Sequence, residues 1–157
     1  MTVTIDQSEG VDALERYIGQ LLGVSNWHTM SQERIQEFAD VTGDQQWIHV
    51  DVERATREGS FGGPIAHGFF TLATSPELLA EIIQITGYGQ AVNYGLNKVR
   101  WPAPVPAGSK VRMRATLKEC DPLTNPDGVQ LILALEFEVE GGSKPVCVAD
   151  VIFRYYK

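Results

Sequence analysis

Cysteine, histidine and positive charge are all scarce in this chain, and each scarcity excludes a class of function. Only Cys120 and Cys147 occur, with no Cys-x-x-Cys spacing and no clustered histidines, so a zinc or other metal site has nothing to build on. Both thiols are expected to be reduced and buried. Lysine and arginine number 13 against 20 aspartates and glutamates, a net charge of -7. Nucleic acid and anionic membrane surfaces need a basic footprint, so neither is expected as a partner, and an anionic ligand would have to meet a local basic patch. No apolar run approaches the roughly 18 residues of a membrane span. The richest, Leu131 to Leu135, is strand-sized. Met1 to Glu9 lacks a basic stretch followed by an apolar one, so no secretory signal is expected and the protein reads as cytoplasmic.

What is present suits a globular chain: 157 residues, 43% hydrophobic and 21% charged, enough to bury a core without disulfides or metals. There is no internal repeat or low-complexity linker, so residues 1–157 read as a single domain, with residues 1–26 as a helical extension within it. In that extension Val11, Leu14, Ile18, Leu21 and Leu22 recur at helical spacing, up to a stop at Gly23. Ser31 reads as the N-cap of a second helix carrying Ile35, Phe38 and Ala39, which Gly43 stops in a left-handed conformation. Asp51 caps a short helix through Arg57, and Gly59 to Pro64 reads as a loop. From His67 to Ile85 apolar residues run almost all round the wheel, predicting a long buried helix with a kink or restart at Pro76.

Beyond Gly89 the period changes to two. Val111, Met113, Ala115 and Leu117 alternate with polar neighbours, as do Val129, Leu131, Leu133, Leu135, Phe137 and Val139. With Asn93 to Trp101 and Val146 to Tyr156 these make at least four antiparallel strands. The class is α+β, one antiparallel sheet around one long central helix.

The chemistry-bearing residues lie in Phe38-Ala-Asp-Val-Thr-Gly-Asp44-Gln-Gln-Trp-Ile-His49-Val-Asp51 and in Gly63-Pro-Ile-Ala-His67-Gly68-Phe69. This pattern resembles the MaoC-like dehydratases, the (R)-specific enoyl-CoA hydratase family of hot-dog-fold proteins, in the branch that includes nodulation protein N-like members. Phe38, Gly43, Asp44, Ile48, His49 and Ala55 match the family motif, and Tyr94 to Gly108 is similar to its strand after the central helix. Two positions depart: Gln46 stands where the family usually has Asn, and Trp47 where it usually has Pro. The loop is therefore expected to take a different path and reshape the acyl pocket.

The resemblance implies a single hot-dog domain that adds water reversibly across a trans-2-enoyl-CoA to give the (R)-3-hydroxyacyl-CoA. No cofactor is expected, coenzyme A being part of the substrate. Such hydration needs a base for the attacking water, a proton for C2, and donors for charge on the thioester oxygen. The resemblance gives the first two functions to Asp44 and His49, and the third to the backbone N–H of Gly68 at a helix start. Trp47 and Phe69 are expected to touch substrate, with pocket depth set by Trp47, Phe61, Phe69 and Phe70. His67 is expected to bond backbone and fix its loop, and Asp51 to be an N-cap; Thr71 and Ser75 stay outside the catalytic set. Trp27 and Trp101 read as core or pocket wall. Lys98, Arg100, Lys110, Arg112, Arg114 and Arg154 read first as a sheet face paired with Glu136, Glu138 and Glu140, and second as contacts for CoA phosphates.

A homodimer is expected, since an open sheet leaves an unpaired edge and hot-dog relatives join two sheets edge to edge. Two other functions fit the same pocket: an acyl-CoA thioesterase, and a non-catalytic acyl-thioester binding protein favoured by Gln46 and Trp47.

Overall fold

The computed structural model describes residues 2–6 and 12–157. In chain order its elements are β1 (Val3–Asp6), α1 (Asp12–Glu15), β2 (Leu21–Val24), β3 (His28–Thr29), α2 (Gln32–Thr42), α3 (Trp47–Val50), α4 (Val52–Glu58), α5 (Gly68–Ala73), α6 (Ser75–Ala80), β4 (Ile83–Thr86), β5 (Gln90–Arg100), β6 (Lys110–Thr124), β7 (Asp127–Val139) and β8 (Cys147–Tyr156). The period-two segments form the frame. The sheet runs β2-β6-β7-β8-β5, every pair antiparallel, with β3 also pairing β6.

Register explains how the sheet buries one face. Val111 opposes Val139, Met113 opposes Phe137, Ala115 opposes Leu135 and Leu117 opposes Leu133. Apart from the half-buried Val139, all of these are buried. A shift between Leu117 and Glu119 inserts an extra residue, so the inward phase changes and Cys120 turns into the core. The outer face carries Arg112 to Glu138 at 2.8 Å, Arg114 to Glu138 at 3.8 Å and Lys110 to Glu140 at 3.8 Å. Arg154 instead donates to Gln130 and lies over the Tyr94 ring. Among the described residues Lys98 and Arg100 pair with no carboxylate.

The central helical segment restarts at Pro76, as expected, making two short helices, but it ends at Ala80 and not at Ile85. The chain breaks at Thr74, whose hydroxyl donates to the Thr71 carbonyl at 2.7 Å, and Pro76 occupies the first turn of α6, where its missing N–H costs nothing. After Ala80 the β-branched run Ile82-Ile83-Gln84-Ile85-Thr86 leaves the helix, and β4 pairs in parallel with β1. The helical extension over residues 1–26 is likewise corrected. It contributes β1, one turn of helix and β2, because Gly19 at φ 77° ends the turn and β6 offers Leu21, Gly23 and Val24 an edge to pair with. Of the five helical positions, Val11 lies outside the described residues, Leu14 and Leu22 are buried, and Ile18 and Leu21 are exposed.

The core lies between the inner sheet face and α5 and α6, which pack on β8 and β6. Both cysteines sit there as free thiols, and burial pushes Cys120 up to about 12 and Cys147 up to about 11. Among the described residues no helix is long and apolar enough to cross a membrane.

Candidate active site

Three short elements bring the site together. The Ser31 hydroxyl caps α2 by accepting the Arg34 N–H, and Gly43 ends it at φ 78° with its own N–H donated to Ala39, so Asp44 leaves the helix at the surface. Gln46 then sits at φ -59°, ψ 132°, and Trp47 takes the first position of α3. Those are the conformations required of a residue before proline and tolerated by proline itself. The two departures from the family motif therefore change the side chains presented, and the rerouted loop expected from them is not needed.

One turn of α3 carries His49 inward to 6% exposure. Its Nδ1 lies 2.7 Å from the Ile65 carbonyl, and because a carbonyl only accepts, Nδ1 holds the proton and Nε2 presents the lone pair. Ile65 N–H returns a bond to Ile48, Ala66 N–H bonds Val105, and the Gln32 amide donates to the His49 carbonyl. Burial holds His49 below the usual imidazole range; the Ile65 bond opposes this, nearby His67 adds to it, and Asp44 opposes it. At neutral pH the ring is thus an uncharged base.

His67 completes the group. It is 3% exposed, donates Nε2–H to the Asp44 carbonyl at 3.0 Å, and stacks on His49 with centroids 3.8 Å apart and planes at 28°. Asp44, His49 and His67 each offer a ligand-type atom within 4.8 Å of the others. One nitrogen of each ring is already engaged by a carbonyl, His49 Nδ1 by Ile65 and His67 Nε2 by Asp44, which leaves one further nitrogen on each.

A cavity of ≈ 290 Å³ opens beside His49, lined also by Phe61, Ile65, Ala66, Gly68, Thr71, Val146 and the run Trp101 to Val105. The first bond of α5 runs from Thr71 N–H to the His67 carbonyl, so the Gly68 N–H lies at the open end of the helix, on the cavity wall. A Cβ on Gly68 would stand 2.9 Å from Trp101 Cδ2, which makes glycine necessary for this packing.

Of the expected site residues, then, Asp44 and His49 come together and Gly68 shares the cavity with His49. Trp47 and Phe69 do not line it: Arg54 lies 4.3 Å over the Trp47 ring, while Phe69, 66% exposed, packs edge-on against Trp101 at 5.0 Å. Thr71, which the motif does not single out, is 1% exposed and on the cavity wall; its spacing of three from Gly68 puts it on the same helix face. Asp51 is the N-cap of α4, accepting Arg54 N–H at 2.9 Å.

Comparison with known proteins agrees with this architecture. A family model described as the MaoC like domain matches residues 14–133. The chain is 50% identical over 147 residues to 3-hydroxyacyl-thioester dehydratase Z of Mycobacterium tuberculosis, covering 94% of this chain and 96% of that protein. To nodulation protein N of Rhizobium leguminosarum bv. viciae it is 40% identical over 136 residues, covering 86% and 84%. Among solved structures, an R-hydratase of Pseudomonas aeruginosa superposes with a TM-score of 0.70 at 21% identity, covering 89% of this chain and 82% of that one, a likeness of fold. On the match to its family model and the identity to relatives of nearly equal length, the chain belongs to the MaoC-like dehydratases of the hot-dog fold.

Proposed function

We propose that this hydro-lyase adds water reversibly across a trans-2-enoyl-CoA to give the (R)-3-hydroxyacyl-CoA, with Asp44 and His49 as its catalytic residues. The observation that carries the reading is a neutral imidazole of fixed tautomer on the wall of an apolar cavity, its Nε2 unprotonated, with the exposed Asp44 carboxylate within 4.8 Å of a ring nitrogen though not itself lining the cavity. In hydration, the water oxygen bonds to C3, one water proton passes to the pair and one proton passes from the pair to C2. The pair therefore ends each turnover as it began. Gly68 N–H, at the open end of α5, is the donor proposed for the thioester oxygen. The name of the mycobacterial relative, a 3-hydroxyacyl-thioester dehydratase, supports the same chemistry. Ile65, Ala66, Pro102, Pro104 and Val105 make a wall suited to an acyl chain.

The working form proposed is a homodimer. Among the described residues β5 ends the sheet, leaving one side of an 11-residue strand unpaired, and its Tyr94 and Leu96 are exposed at 54% and 45%. In such an assembly Phe69, exposed on one protomer, would be covered, and there it is proposed to border the substrate; Trp47 is proposed to border it beside α3. Light scattering at micromolar concentration is expected to give twice the 17.3 kDa chain mass.

The test of function follows crotonyl-CoA and a longer enoyl-CoA by conjugated-thioester absorbance and by free thiol. Loss of conjugation without thiol, with product oxidised only by an (R)-3-hydroxyacyl-CoA dehydrogenase, is expected. Thiol release would make the protein a thioesterase, and binding without either change would make it a binding module.

A further inference from the structure

We infer that His67 is a positioning residue for the acid–base pair: it holds the Asp44 segment by its main chain and backs the His49 ring, so that carboxylate and imidazole meet. The inference rests on the acid–base reading above and adds one residue to it. Asp44 is exposed, and the hydrogen bonds that fix residue 44 are made by its backbone. Its N–H reaches Thr42 Oγ1 at 3.4 Å, a long contact, whereas its carbonyl accepts His67 Nε2–H at 3.0 Å. His67 itself has little freedom. Its ring lies against His49 on one side and 5.0 Å from Phe38, which in turn stacks on Phe70 at 5.1 Å. Its carbonyl starts α5.

The unused nitrogen gives the second argument. With the proton on Nε2, His67 Nδ1 carries a buried lone pair that has no partner among the described residues. Burying an unsatisfied polar atom costs about 1–3 kcal/mol. A phenyl ring would fill the same slot between Phe38 and His49 without that cost. What the imidazole adds over an apolar ring is the Nε2 donor, and that donor is spent on Asp44.

Three variants and one cycle test this, with enoyl-CoA hydration as the assay and melting temperature as the control for folding. His67→Phe keeps the ring and removes the donor; kcat is expected to fall at least about tenfold, with KM within about twofold, because a displacement near 1 Å of a reacting group is enough for such losses. His67→Gln returns an amide N–H near the position of Nε2 and is expected to recover most of kcat. His67→Leu replaces the phenyl variant in the comparison if that variant does not fold. In an Asp44→Asn background, His67→Phe is expected to cost less than about twofold more, since it acts through a group already removed. Near-normal kcat in His67→Phe, a His67→Gln as impaired as the phenyl variant, or an equal loss in both backgrounds would overturn the inference. A near-normal Asp44→Asn single variant would instead overturn the acid–base reading on which it rests.

Discussion

Along β6 and β7 each buried side chain is one of a repeated set, paired across the strands by a register that thirteen residue pairs enforce together. In the layer made by α2, α3 and α5 the contacts that aim the site are single: one imidazole on one carbonyl at Ile65, another on the carbonyl of Asp44, one indole against Gly68. The difference separates stability from function. Redundant packing tolerates the loss of surface groups and punishes a cavity, whereas the site layer loses its geometry with one atom.

The largest effect should come from breaking the redundant layer at its centre. Phe137 is fully buried on the inner face, and Phe137→Ala is expected to lower unfolding free energy by about 3–5 kcal/mol while activity per folded chain stays within about twofold. Urea unfolding beside the hydratase assay reads both. Gly68→Ala moves the weight to activity. Its Cβ must displace Trp101 from 2.9 Å, so kcat/KM is expected to fall about tenfold, with a stability loss of about 1–3 kcal/mol, smaller than that of Phe137→Ala. The smallest effect belongs to the outer sheet face. Arg112 pairs with Glu138 at 2.8 Å and covers Trp27 at 4.4 Å, yet both charges are partly exposed, so Arg112→Ala should cost no more than about 1 kcal/mol and leave activity unchanged.

A pH series sharpens the same contrast. His49 is held below its ordinary value of 6.5, so activity should be flat at neutral pH and fall on the acid side, below that value. The sign for stability agrees: the unfolded chain binds this proton more readily, so the contribution of neutral buried His49 is present above the unfolded value and is lost as pH falls through the folded one. An acid limb at or above the ordinary histidine range would place the base elsewhere.

What could be read from sequence divides along the same line. The strands were legible because alternation in Val111 to Leu117 and Val129 to Phe137 is a local signal repeated many times. The two helices misjudged were those whose ends depend on distant partners. Ile83 to Thr86 leaves the helix to pair with Val3 to Asp6, and Leu21 to Val24 pairs with β6, contacts that no window of sequence contains. At the site, Asp44, His49 and Gly68 stand out by their motif, and the fold brings Asp44 close to His49 and sets Gly68 on the cavity wall that His49 shares. The fixed tautomer of His49, the stacking of His67 and the wall from Trp101 to Val105 depend on loops meeting across the fold, so spacing did not show them.

The central claim is that Asp44 and His49 act on one water as a unit, and turnover in Asp44→Asn, His49→Gln and the double variant tests it most directly. Each single change should lower kcat by at least about a hundredfold with the fold intact, and the double variant should lose little more than the worse of the two. Near-normal turnover in either single variant, or a double variant whose loss is the product of both, would contradict it.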